Sequence, residues 1–253
     1  MRRITIPLVL IALAGACAPA PVSSPAPTPA DYAAALADPI RPATDRARDE
    51  ARKPAELLAF AQIAPGEEVG DYVMGGGYLT RILAAAVGPK GRVHAFQPQE
   101  FIAFRAAYGD EQRQTVAAAA NIVAVNGSIS APAFSAPLDT IITVQNFHDL
   151  YLKPFPEGTG AKASSALFRS LKPGGTLVVV DHSAVAGSGT SAADTLHRIE
   201  LRAVVDALTQ AGFKLEAESA LFARPDDPRT ANVFDPAIRG NTDQFVLRFR
   251  KPG

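Results

Sequence analysis

The stretch Glu68-Val69-Gly70-Asp71-Tyr72-Val73-Met74-Gly75-Gly76-Gly77-Tyr78 decides how this chain folds. Residues 68–73 read as a strand, the three glycines as a tight turn, and residues 78–87 as a helix closed by Gly88-Pro89. Strand, Gly-rich turn and helix in that order open a βα unit. Glycine permits positive φ and removes the side chain that would hold a ligand off the backbone.

Working outward, the alternation continues. Strands are expected at 92–96, 121–125, 138–144 and 176–180, with helices at 98–117, 160–171 and 192–211 between and after them. Five apolar strands separated by helix-length segments predict a parallel sheet covered on both faces. Residues 213–222 and 244–250 read as two final strands with no helix between them, hence an antiparallel hairpin at one edge. The expected fold is α/β: a doubly wound, seven-stranded, mostly parallel sheet. Upstream, Pro54 starts a helix that runs to about residue 63. Residues 42–52 are polar nearly all round and predict a helix on the surface.

Composition narrows the function classes. The chain has 253 residues, with 25 basic and 25 acidic side chains. That balance creates no global basic field, so nucleic acid is not an expected partner. Cys17 is the one cysteine, which excludes an internal disulfide and a thiolate zinc site.

The order of elements resembles the class I S-adenosylmethionine-dependent methyltransferases. Asp71 to Tyr78 stands where that family carries its Gly-rich first motif, and Leu171-Lys172-Pro173-Gly174-Gly175-Thr176-Leu177 is similar to its approach to the fifth strand. Asn146-Phe147-His148-Asp149, Leu196-His197-Arg198-Ile199-Glu200 and Thr242-Asp243-Gln244-Phe245 resemble a narrower bacterial group of predicted methyltransferases, often with leader peptides.

The resemblance implies S-adenosylmethionine as cofactor. Gly75, Gly76 and Gly77 would hold its amino-acid end, with Asp71 meeting the ammonium. Gln97 stands where the family has an acid for the ribose hydroxyls, and Glu100 is a nearby substitute. Asn126 and Ser128 end the third strand, where the family reads the adenine. Two positions depart from the pattern: Val73 replaces the first glycine, and Gln97 lacks a carboxylate's charge-assisted acceptance. A dinucleotide fingerprint starting at Gly75 would need glycine where Thr80 stands.

The sharpest catalytic candidates are Asn146, His148 and Asp149, at the carboxyl end of the fourth strand, where such sheets bind ligands. His148 reads as a general base because imidazole titrates near neutrality, with Asp149 orienting it. A polar loop with Asp149 as a helix cap is the alternative. His182, His197 and Arg198 are candidates for the substrate pocket; His94, inside a strand, reads as structural. Asp149, Asp181 and a histidine would suit a divalent ion, but the spacing carries no dedicated metal motif and no metal is assigned.

At the amino end, Arg2-Arg3, an apolar run over 4–13 and Ala14-Gly15-Ala16-Cys17 read as an export leader. The last four residues resemble a bacterial lipobox, with Ala14 where leucine is usual, so Cys17 would be lipidated. An ordinary signal peptide cut after Ala16 is the alternative. Residues 17–44 read as an Ala/Pro-rich tether and 45–253 as the folded domain. Together these predict a lipid-anchored protein of the bacterial periplasm, acting on a small-molecule or envelope-associated substrate. The competing function is a non-catalytic binding protein on the same fold, and a metal-dependent hydrolase is a third.

Overall fold

The computed structural model describes residues 26–253, so the leader and Cys17 lie outside the described residues. Among the described residues, no helix is long and apolar enough to cross a membrane.

A 3-10 turn, Pro29–Tyr32, leads into α1 (Ala33–Ala37), α2 (Ala43–Arg46), α3 (Asp49–Arg52) and α4 (Pro54–Ala61). The alternating part then runs β1 (Glu68–Tyr72), α5 (Tyr78–Val87), β2 (Arg92–Pro98), α6 (Gln99–Phe104), α7 (Ala107–Ala117), β3 (Ile122–Gly127) and β4 (Leu138–Val144). A second 3-10 turn, His148–Tyr151, precedes α8 (Thr159–Ser170), β5 (Leu171–His182), α9 (Ala193–Leu196), α10 (Leu201–Gln210), β6 (Lys214–Ser219) and β7 (Gln244–Arg250).

The seven strands form one sheet in the order β3-β2-β1-β4-β5-β7-β6. The first five are parallel, and β7 runs antiparallel to both its neighbours. The doubly wound expectation therefore holds. The final hairpin is more specific than expected, because β7 sits inside and β6 takes the edge. Residues Phe245 to Leu247 and Phe249 of β7 are buried, whereas β6 exposes Lys214 and Glu216. An apolar strand gains from two neighbours, and a charged one protects an edge from further pairing.

Strand residues alternate between two cores. On β5, Val178 and Val180 join Leu58, Ile82 and Leu83 beneath α4 and α5. Leu177 and Val179 face Phe147, Leu167, Val204 and Phe249 on the other side.

Three expected helices are broken. The 98–117 segment divides at Arg105, which is extended. The 192–211 segment divides at His197, in the left-handed region at φ 52°. Between its pieces, Ile199 donates its N–H to the His182 carbonyl at 2.9 Å, tying the chain to the end of β5. The 42–52 segment divides into α2 and α3 and lies largely on the surface, as expected, but it is anchored at one residue and just ahead of its start. Arg41 and Asp45 are buried.

The folded body also begins earlier than residue 45. The Tyr32 hydroxyl donates to the carbonyls of Leu58 (3.1 Å) and Ile63 (2.8 Å), and its ring lies in the core. Residues 29–44, expected in the tether, therefore belong to the folded body: a buried tyrosine with two long-range hydrogen bonds is part of the domain.

Candidate active site

The carboxyl ends of β1 to β5 share one edge, and nearly every predicted site residue lies there. On the β1–β2–β3 side, the turn after β1 carries Val73 at φ 66°, Gly75 at 54° and Gly77 at 78°. Left-handed backbone is ordinary for glycine and strained for a β-branched residue. Val73 thus stands in a conformation that favours glycine, and its side chain is buried with Tyr72 and Phe96.

The three glycines have different surroundings. A side chain on Gly75 would meet nothing within 4 Å, and one on Gly76 only Glu111 Oε2 at 3.8 Å. At Gly77 it would collide with Thr115, so Gly77 serves helix packing rather than an opening. Arg81 braces the turn: Nε donates to Asp45 Oδ2 (2.8 Å), Nη1 to Thr115 Oγ1 (2.9 Å) and Nη2 to the Gly76 carbonyl (3.0 Å). The polar α2 is thus part of the turn's support.

Most polar candidates on this side are already partnered. Asp71 is buried and accepts from Thr80 Oγ1 at 2.6 Å. Burial raises its carboxyl to about 6, despite the Thr80 hydrogen bonds. Asn126 Nδ2 donates to the Gln97 carbonyl and to Gln112 Oε1, both at 3.0 Å. Ser128 Oγ donates to Glu100 Oε1 (2.7 Å), and the Ile129 N–H reaches both oxygens of the same carboxylate (3.2 and 3.1 Å).

Gln97 is the exception. Its Oε1 accepts from the Gly75 N–H at 3.1 Å, which fixes the amide's orientation. Its Nε2 is buried without a hydrogen-bond partner.

On the β4–β5 side the candidates converge. Asn146 Nδ2 donates to the carbonyls of Val144 (2.6 Å) and Val73 (3.3 Å), joining the ends of β4 and β1. Its amide is a strut across the edge. The His148 N–H donates to Asp181 Oδ2, and its Nδ1 meets Asp181 Oδ1, both at 2.7 Å. The other ring nitrogen, Nε2, lies 3.2 Å from Asp149 Oδ1 and 3.3 Å from His197 Nδ1. One ligand-type atom each from His148, Asp149 and His197 falls within 4.8 Å of the other two.

Charge at this cluster is strongly redistributed. Burial alone would lower the His148 imidazole, but the Asp181 and Asp149 carboxylates outweigh it and hold it up at about 9. Burial raises Asp149 to about 7, and the His148 charge only partly offsets it. Burial also works against Asp181, yet its partner His148 keeps it below the usual carboxylate range. Burial lowers His197, as does the charge on His148. The two carboxylates thus favour the protonated imidazole of His148, the form that gives a proton rather than takes one.

His182 and Arg198, expected in the substrate pocket, are both buried and bonded within the fold. His182 is buried, pairs Nδ1 with Thr242 Oγ1 at 2.8 Å, and is lowered by burial to about 4. Arg198 is fully buried. It clamps Asp227 through two nitrogens (2.8 and 3.2 Å) and donates to the carbonyls of Ser183 (3.0 Å) and Ala231 (2.9 Å). It pins the long 223–243 loop, where the sequence suggested a substrate residue. His94 is structural as expected, fully buried with Nε2 2.6 Å from Glu68 Oε2.

The partnership of Asp181 with His148 carried one sequence signal, a carboxylate closing an apolar β-branched strand. The Glu100 cap on Ser128 had one as well, since Glu100 already stood as a substitute for a nearby acid. The Arg198–Asp227 clamp had none, because nothing in the sequence pairs two charges 29 residues apart.

No family model matches the chain, and no curated protein is a significant match to it. Solved structures do match in fold. A SAM dependent methyltransferase from Aquifex aeolicus superposes with a TM-score of 0.58 at 20% identity, covering 88% of this chain and 98% of that one. The N-methyltransferase NodS from Bradyrhizobium japonicum gives 0.53 at 15%, with coverages of 82% and 97%. The [4+2]-cyclase SpnF gives 0.52 at 16%, with 80% of each chain. The chain therefore has the methyltransferase-type Rossmann-like fold, and these likenesses establish that fold.

Proposed function

We propose that this chain is an S-adenosylmethionine-dependent methyltransferase acting at the carboxyl edge of its sheet on a small or envelope-associated acceptor. One observation carries the reading. Beside the open backbone of Gly75 lies a buried amide, Gln97 Nε2, with no acceptor, and an unsatisfied buried donor is costly unless a ligand takes it. It stands at the end of β2, where a ribose hydroxyl could accept from it.

The cofactor, when bound, supplies an electrophilic methyl group on a sulfonium. The chain's part is positioning. Gly75 and Gly76 leave room for close backbone approach, and Gln97 donates to the ribose. Ser128 and the Ile129 N–H, now bonded to Glu100, are the groups at the end of β3 that would meet the adenine. The His148–Asp149–His197 group faces the acceptor. Export through the leader and lipidation of Cys17 would place this chemistry on the periplasmic side of a membrane.

A second reading, a binding protein on the same fold without methyl transfer, is favoured by Val73 and by the self-satisfied Asp71 and Glu100. A fold that also serves a cyclase does not dictate its chemistry. Calorimetric titration of the full chain with S-adenosylmethionine separates the two. Methyl transfer requires a saturable heat that weakens at least tenfold in Gln97→Leu. No heat and no thermal shift at millimolar cofactor leaves the binding-protein reading.

A further inference from the structure

From the convergence of His148 Nε2, His197 Nδ1 and Asp149 Oδ1 we infer a three-ligand site for a divalent transition ion, with zinc the best fit and one coordination position open.

Two of the three separations match zinc closely, and the third pair lies within 4.8 Å. Zinc binds imidazole nitrogen at about 2.0–2.1 Å and carboxylate oxygen at about 2.0–2.2 Å, and tetrahedral geometry then separates neighbouring ligand atoms by roughly 3.3 Å. The His148 nitrogen lies 3.2 Å from the carboxylate oxygen and 3.3 Å from the second imidazole. Two imidazoles, one carboxylate and an open fourth position form a set that zinc uses where it does chemistry.

The surroundings point the same way. A ligating histidine needs its other nitrogen held, which fixes the tautomer and aims the free lone pair at the metal. Asp181 does this, taking both the backbone N–H and Nδ1 of His148 at 2.7 Å and leaving Nε2 facing the cluster. His148 and Asp149 are buried, while His197 is half-buried, so the open position lies on the accessible side. Phe234 packs edge-on against the His197 ring at 4.9 Å and covers that ligand.

The backbone is held out of its ordinary basins on both flanks. Gln145 (φ 62°) precedes the Asn146–Asp149 segment, and His197 itself stands at φ 52°. Such strain persists only where surrounding structure enforces it. Here the enforcing contacts are the neighbouring Arg198 clamp on Asp227 and the Ile199 bridge to His182. They deliver His197 to the end of β4 across a sequence separation of 49 residues.

The test is ion binding without any nucleoside, so its outcome is independent of the methyl-transfer reading. The full chain carrying Cys17→Ser, which removes the lone thiol as a competing ligand, is stripped with chelator and titrated with Zn²⁺. Binding of one equivalent is expected, with a rise in Tm. Cobalt in its place is expected to give the intense visible absorption of a tetrahedral site. His197→Ala and Asp149→Asn should each weaken binding at least tenfold. Asp181→Asn, which touches no ion, should weaken it about 10- to 100-fold by misaligning His148. Circular dichroism identifies variants that keep the fold, and half-buried His197 is the safest substitution among the ligands. Zinc affinity unchanged in folded His197→Ala, or no saturable binding by the parent chain, overturns the site.

Discussion

On the β1–β2–β3 side of the carboxyl edge, Asp71 is held by Thr80, Asn126 by Gln97 and Gln112, and Ser128 by Glu100, leaving one buried amide nitrogen, Gln97 Nε2, without a partner. On the β4–β5 side, His148, Asp149 and His197 turn their polar atoms toward a common point, and Asp181 braces them from behind. The first half has its polar groups satisfied from within, that one nitrogen excepted. The second concentrates charge that the chain's own groups neutralise only in part. A buried ionisable group costs folding free energy unless it is paired, so the second half is where function is written most plainly into this molecule.

The largest effect expected from breaking this contrast lies at the clamp that holds the second half together. Arg198→Ala leaves Asp227 buried without its cation and frees the 223–243 loop. Loss of one partner of a buried ion pair costs about 3–5 kcal/mol. Urea unfolding should show it, and a loss below about 1 kcal/mol would mean the clamp is solvated.

The next test concerns Asp71 in the closed half. Its carboxyl titrates at about 6 in the fold and near 3.9 when unfolded. Between those values the folded chain binds the extra proton, so this contribution favours folding at low pH and is lost as pH rises to about 6. Asp71→Asn should therefore match the parent near pH 4 and exceed it at pH 7.5 by about 2–3 kcal/mol. Parallel stability-versus-pH curves for parent and variant would show that Asp71 is not desolvated.

The smallest expected effect sharpens the contrast most. Val73→Gly relieves a strain of about 1–3 kcal/mol and gives up a buried side chain worth a similar amount. Stability should stay within about 1 kcal/mol of the parent. If the turn is a cofactor niche narrowed by Val73, affinity for S-adenosylmethionine should rise about tenfold in calorimetry. An unchanged affinity assigns Val73 to packing alone.

Much of the fold was legible along the chain. The apolar runs ending at Tyr72, Val144 and Val180, punctuated by glycines and separated by helix-length segments, specified strands and crossovers with local signals. The breaks were not legible. Residues 192–211 have unbroken helical character, and the kink at His197 comes from Ile199 bonding to β5 and Arg198 reaching Asp227. In the same way residues 42–52 read as surface because their charges balance locally, while the fold spends Asp45 on Arg81 and lays Arg48 and Arg52 over the Tyr78 ring.

Periodicity and glycine placement, both properties of neighbours in the chain, were enough to determine the doubly wound sheet and to place Asn146–Asp149 at its working edge. Partnership was decided in three dimensions. Asp181, Asp149 and His197 meet around one imidazole because parallel crossovers bring strand ends together from distant parts of the chain. Hydrogen bonds and charge act over a few ångströms of space, a distance that sequence separation does not encode.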